Sequence, residues 1–60
     1  MEQIDYIEVT GSIEHCVAEV NLFLRAIGIN TPVRVLSIRD EWDAGSVTLF
    51  CWYAYTLKEE

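Results

Sequence analysis

The sequence predicts an α+β fold: a single small βαββ domain whose mainly antiparallel, three-stranded sheet carries one helix on one face. Three observations lead there. A stripe of apolar residues at helical spacing lies between Ser12 and Gly28. Segments rich in Val, Ile, Leu and aromatic residues, the composition of strands, flank it on both sides. The sixty residues hold one domain, 1–60, with no linker, repeat or second core.

The elements follow in order. Residues 3–9 mix Ile, Tyr and Val with acids and predict β1, with Ile4 and Tyr6 on one face and Ile7 and Val9 on the other. Thr10-Gly11-Ser12 breaks that strand. Ser12 is placed as a helix N-cap, and Glu14 sits in the positive first turn. Ile13, Cys16, Val17, Val20, Leu24 and Ile27 then form one stripe flanked by Phe23, predicting α1 over 13–28. Gly28 is expected as a left-handed C-cap, and Pro32 stops any continuation. Residues 33–42 predict β2, Asp43-Ala44-Gly45 a hairpin turn, and residues 46–57 β3.

The last strand sets the expected topology. Val47, Leu49, Cys51, Tyr53 and Tyr55 alternate with Phe50, Trp52 and Ala54, so both of its faces are apolar. Strands apolar on both faces belong in the middle of a sheet, which predicts the order β1-β3-β2. A right-handed crossover pairing β1 in parallel with a central β2 is the alternative.

Charge narrows the function classes. Four Lys and Arg against ten Asp and Glu leave a net charge of −6, which argues against direct nucleic-acid binding, whose footprint is basic. With 52% hydrophobic and 23% charged residues, the chain is nevertheless expected to fold rather than stay disordered. No apolar run approaches a membrane span, and the acidic Met1-Glu2-Gln3-Ile4-Asp5 lacks the basic region of a secretory leader. A cytoplasmic protein without membrane contact is expected. In that compartment Cys16 and Cys51, the only cysteines, are expected as buried free thiols.

The sequence offers little chemistry. His15 and Glu19 are four apart on the predicted helix, but an exposed pair of this kind contributes little. Cys16 turns about 100° away from His15, which makes a nucleophile–base pair from these neighbours poor. One histidine and two isolated cysteines do not supply the roughly four ligands of a zinc site, and no phosphate loop or nucleophile elbow occurs. Trp42, Trp52, Tyr53 and Tyr55 are available to stack bases, but only Arg25, Arg34, Arg39 and Lys58 accompany them. The expectation is no catalytic residue, no metal and no cofactor.

Surfaces are left to carry the function. One helix covers one face of a sheet, so Phe50 and Trp52 are expected on an open face, where an aromatic patch marks an interaction surface. Coverage of that face by the chain's own ends is the competing arrangement. A second candidate is the ridge Ala18, Leu22 and Ala26 on the helix face away from the core. Because a domain this small buries only about 60% of its unfolded surface, a homodimer through one of these surfaces is expected. Asp40, Glu41 and Asp43 at the hairpin, with Glu59 and Glu60 at the end, form a candidate acidic surface for a basic partner. In the extreme they would serve as a DNA mimic, although duplex DNA is far more densely charged.

Three segments carry a family likeness: Ile4-Asp-Tyr-Ile-Glu-Val9, Val20-Asn-Leu-Phe-Leu-Arg-Ala-Ile-Gly28 and Leu49-Phe-Cys-Trp-Tyr-Ala-Tyr55. The pattern resembles very small βαββ proteins of bacteria and phages. These are the small sporulation-associated family of bacilli and the compact phage anti-defence proteins that inhibit Hachiman systems. The likeness spans nearly the whole chain in length, element order and hydrophobic pattern, and it contains no diagnostic motif. It implies a non-catalytic homodimer that binds a host protein. The shortage of Lys and Glu and the extra aromatics depart from the sporulation pattern and favour the phage inhibitor.

Overall fold

The computed structural model describes residues 1–57. Its elements are β1 (Glu2–Gly11), α1 (Ile13–Gly28), β2 (Val33–Asp43) and β3 (Ser46–Thr56). They form one small α+β domain, with a three-stranded sheet in the order β1-β3-β2. Both flanking strands run antiparallel to β3: Ile7 opposes Cys51 on one side, and Ile38 opposes it on the other. β1 does not pair with β2, so the crossover alternative is excluded.

The helix begins where the sequence places it. Ser12 is extended at φ −70° and ψ 157°, and its hydroxyl oxygen accepts the His15 N–H at 3.1 Å, satisfying one of the first-turn donors. Just before it, Gly11 has φ +153°, and the His15 ring lies 3.0 Å from where a Cβ would stand. A side chain at position 11 would be strained by backbone and ring together.

The helix end differs from expectation. Gly28 is the last helical residue and is not left-handed; Ile29 follows, still at φ −63° and ψ −38°. The chain leaves through a tight turn in which the Asn30 and Thr31 N–H groups both donate to the Ile27 carbonyl, each at 3.2 Å. Pro32, which has no N–H to offer, then opens β2. Its carbonyl accepts the Thr56 N–H at 3.2 Å.

Strands β2 and β3 are joined by the two-residue turn Ala44-Gly45, with φ +49° and +87°. Positive φ at both central residues is the pattern of a type I′ hairpin, whose twist matches the flanking strands. β2 carries one irregularity, a bulge between Val35 and Ser37 that leaves Leu36 outside the register.

The core lies between α1 and the inward face of β3. Cys16, Val20, Val47, Leu49 and Cys51 are buried together, with Ile7, Val9 and Leu24 packed around them. The Cys16 thiol points at the Val9 and Val47 carbonyls, 3.3 and 3.4 Å from its Sγ. Both cysteines are free and buried, as expected. Beside them, Phe23 meets Tyr53 edge-on at 5.4 Å.

The stripe on α1 is only partly covered, which corrects the expectation that all of it faces the core. Ile13 and Val17 remain 41% and 45% exposed, because the helix lies over β1 and β3 and touches β2 least. The protein is a thin slab of 47 × 17 × 12 Å with 4446 Å² of accessible surface. A compact monomer of this mass exposes roughly 4,000 Å².

Candidate interaction surfaces

The register assigns each paired strand residue to a face. Ile4, Tyr6 and Glu8 of β1, Phe50, Trp52 and Ala54 of β3, and Arg34, Ser37 and Arg39 of β2 share the face opposite the helix. This face is uncovered: Ile4 is 65%, Tyr6 46% and Trp52 40% exposed, and Phe50 is half-buried. Tyr6 and Trp52 are register partners and stack at 4.7 Å with their planes 30° apart. The described ends do not fold over them. Leu57 N–H donates to the Met1 carbonyl at 2.9 Å, which continues the ladder instead.

Polar groups close both ends of this apolar strip. At one end, Arg34 Nη2 bridges both carboxylate oxygens of Glu2, at 3.0 and 3.1 Å. The two residues stand on opposite sides of β3, so their bridge crosses over it. Ala54 is directly beside Arg34 in the register and is buried although it belongs to the open face. At the other end, the Thr10 and Thr48 hydroxyls share a hydrogen bond of 2.9 Å. Between these ends lies one row with an acid on one side of an aromatic and a base on the other: Glu8, Phe50, Arg39.

The second predicted surface is also exposed. Ala18, Leu22 and Ala26 all face solvent, and Leu22 is 58% exposed. Its area is that of one large side chain and two methyls, far less than the sheet offers.

The hairpin acids do not form one patch. Asp40 opposes Leu49 and lies on the helix side, whereas Glu41 opposes Thr48 on the open side. Asp40 accepts a hydrogen bond of 2.8 Å from the Trp42 indole, two residues along the same face. Asp43 pairs with Ser46 at the turn. Glu59, Glu60 and Lys58 lie outside the described residues.

His15 and Cys16 are held apart. The ring is exposed against Gly11, and the thiol is sealed in the core. Among the described residues, the one ion pair is Arg34–Glu2, and His15 makes none with Glu19. Burial pushes the Cys51 thiol above its ordinary 9.0. Burial also raises the Tyr53 phenol, helped by the negative charge of its register partner Asp5.

Two concavities were not anticipated from the sequence. A cleft of about 380 Å³ at the end of α1 is lined by Ile27, Thr31, Tyr53, Tyr55 and Leu57. The Thr31 hydroxyl donates to the Thr56 carbonyl beside it. A groove of about 300 Å³ runs between α1 and β2, floored by Leu49 and walled by Ile13, Val17 and Ile38. The exposed positions of β2 beside it were visible as apolar residues, but their placement depends on where the helix axis crosses the sheet.

The fold and its exposed faces define a small βαββ domain whose distinguishing feature is apolar surface. No protein-family model matches the chain, and neither a curated protein nor a solved structure shows significant similarity to it.

Proposed function

We propose that the protein is a non-catalytic binding module that works as a homodimer joined through the open sheet face. The observation that carries this reading is the Glu8-Phe50-Arg39 row within the exposed strip of Ile4, Tyr6 and Trp52. A two-fold axis parallel to the strands, between two such faces, lays each β1 over the partner's β2. Glu8 of each copy then meets Arg39 of the other, while Phe50 and Trp52 meet their own copies. The face is therefore complementary to itself in charge and in apolar character.

Magnitudes favour a modest dimer. Three strands of 10–11 residues span a face of roughly 14 × 35 Å, or about 500 Å² per subunit in projection. Two such faces come to about the 1,000 Å² lower bound of specific interfaces. Full burial of each large side chain contributes about 1.5–3 kcal/mol. Sedimentation equilibrium is expected to show a concentration-dependent dimer for the wild type and for Leu22→Glu, and a monomer for Trp52→Glu. A wild-type monomer throughout the micromolar range, or a monomer produced by Leu22→Glu alone, rejects this interface.

In its narrower form, the bound target is a host protein of a bacterial anti-phage defence system, and the protein is its phage-encoded inhibitor. The resemblance in length, element order and pattern supports this form. Expression in a bacterium armed with a Hachiman-type system is expected to restore phage plaques. Unchanged protection removes the narrower form and leaves the dimer standing.

A further inference from the structure

The helix side of β2 is unfinished. Ile38 and Trp42 point to that side and are 55% and 59% exposed, next to the groove under Ile13 and Val17. β3 occupies one edge of β2, and the other edge pairs with no described strand. The bulge at Leu36 interrupts the strand, so its longest regular run is Ser37–Asp43. That run borders the groove through Ile38, Arg39 and Asp40.

We propose that this edge and groove take up an extended segment of a partner protein as a fourth strand, with apolar side chains opposite Ile38 and Trp42 and a basic side chain opposite Asp40. Main-chain pairing supplies the attachment, and side chains at alternate positions supply the choice of partner. Directly opposed residues in antiparallel strands share a face. The side chains opposite Ile38 and Trp42 therefore lie on the helix side, against those two exposed residues at the rim of the groove, and the one between them meets the Asp40 carboxylate. On the other face, Arg39 and Glu41 select an acid and a base. Read from its own N-terminus, an antiparallel segment is apolar, basic, basic, acidic, apolar.

A second copy of this chain meets every requirement of this edge but the basic side chain opposite Asp40. Side-chain alternation restricts a two-fold antiparallel pairing to registers in which one residue opposes its own copy. With the axis on Asp40, Ile38 opposes Trp42 and Arg39 opposes Glu41, so the conflict is confined to the two Asp40 carboxylates; with the axis on Arg39 or Glu41, like charges meet and an apolar residue faces a carboxylate. An axis on Ile38 drives the pairing into the bulge, and an axis on Trp42 leaves only residues 41–43 to pair. A heterologous segment with a base opposite Asp40 avoids the carboxylate pair as well as the bulge and the turn. This surface shares Arg39 with the proposed dimer face, but Ile38, Asp40 and Trp42 lie on the opposite side of the sheet, so either reading can fail alone.

The probe is a synthetic peptide with the pattern Thr, Val, Lys, Lys, Asp, Val, Thr, titrated into isotope-labelled protein and followed by amide shifts. A second peptide reverses its three charges. Shifts are expected at Ser37–Asp43 and at Ile13 and Val17, with the reversed peptide bound about tenfold more weakly. Asp40→Lys is expected to narrow or invert that preference, and Trp52→Glu to leave binding unchanged. Absence of shifts at millimolar peptide overturns the proposal. So do shifts confined to the open face, or equal affinity for the two peptides.

Discussion

The two faces of β3 are built from neighbouring residues of one strand and end in opposite conditions. Val47, Leu49 and Cys51 are sealed under α1, while Trp52, in the same strand, stands 40% exposed. Composition does not separate them, since both sets are apolar. What separates them is the element lying above, and here only one helix exists among the described residues, displaced toward β1. An apolar strand residue is therefore a request for cover, and the cover is decided elsewhere in the chain.

The comparison predicts its own largest effect. Leu49→Ala should cost about 2–5 kcal/mol, comparable to the whole stability of a domain this small. Ile4→Ala on the open face should cost about 0.5 kcal/mol or less in the monomer. Urea unfolding in dilute solution checks both, and equal losses would abolish the distinction between the faces.

The covered face should also respond to alkali. Cys51 and Tyr53 both bind their protons more tightly in the folded protein than in the unfolded chain. The stability they add is complete below the ordinary thiol value of 9.0 and is lost as pH rises through their raised folded values. Unfolding midpoints measured from neutral pH upward should fall once pH passes about 9, and a flat profile contradicts the sealed core.

Smaller effects sharpen the open side. A double-mutant cycle on Tyr6 and Trp52 should return a coupling of about 0.5–1.5 kcal/mol for their stack, measured below the dimerisation range. Ala44→Gly should stabilise both faces together by about 0.5 kcal/mol, because relief of the left-handed alanine outweighs the extra freedom glycine gives the unfolded chain. Thermal unfolding reads that shift. Glu2→Gln should cost less than about 0.5 kcal/mol, since both partners of the Arg34 bridge are largely solvated, 49% and 65% exposed.

Much of this architecture was legible in the sequence. The helix limits followed from Ser12 and the spacing between Ile13 and Ile27, and the central place of β3 followed from its two apolar faces. The hairpin followed from Gly45. Three features escaped. Gly28 looked like a left-handed cap, but the chain could also leave through a tight turn on the Ile27 carbonyl and did so. Periodicity showed that Ile13 and Val17 share a face with Val20, not that the helix axis would leave them beyond the covered strands. The bulge at Leu36 was hidden because Val35 and Leu36 are consecutive apolar residues, which fit either register. The open face was anticipated; the groove on the other side was not.

The order β1-β3-β2 also dictates a schedule. The β2–β3 hairpin closes over two residues, a microsecond event, whereas β1 must wait for a partner about forty residues further along the chain. During synthesis, β1 and α1 leave the ribosome first, with the sheet's middle strand not yet made. At roughly 5–20 residues per second, the first strand spends on the order of seconds as an unpaired edge. Its acids at Glu2, Asp5 and Glu8 keep that nascent edge in water and discourage neighbouring chains from pairing with it.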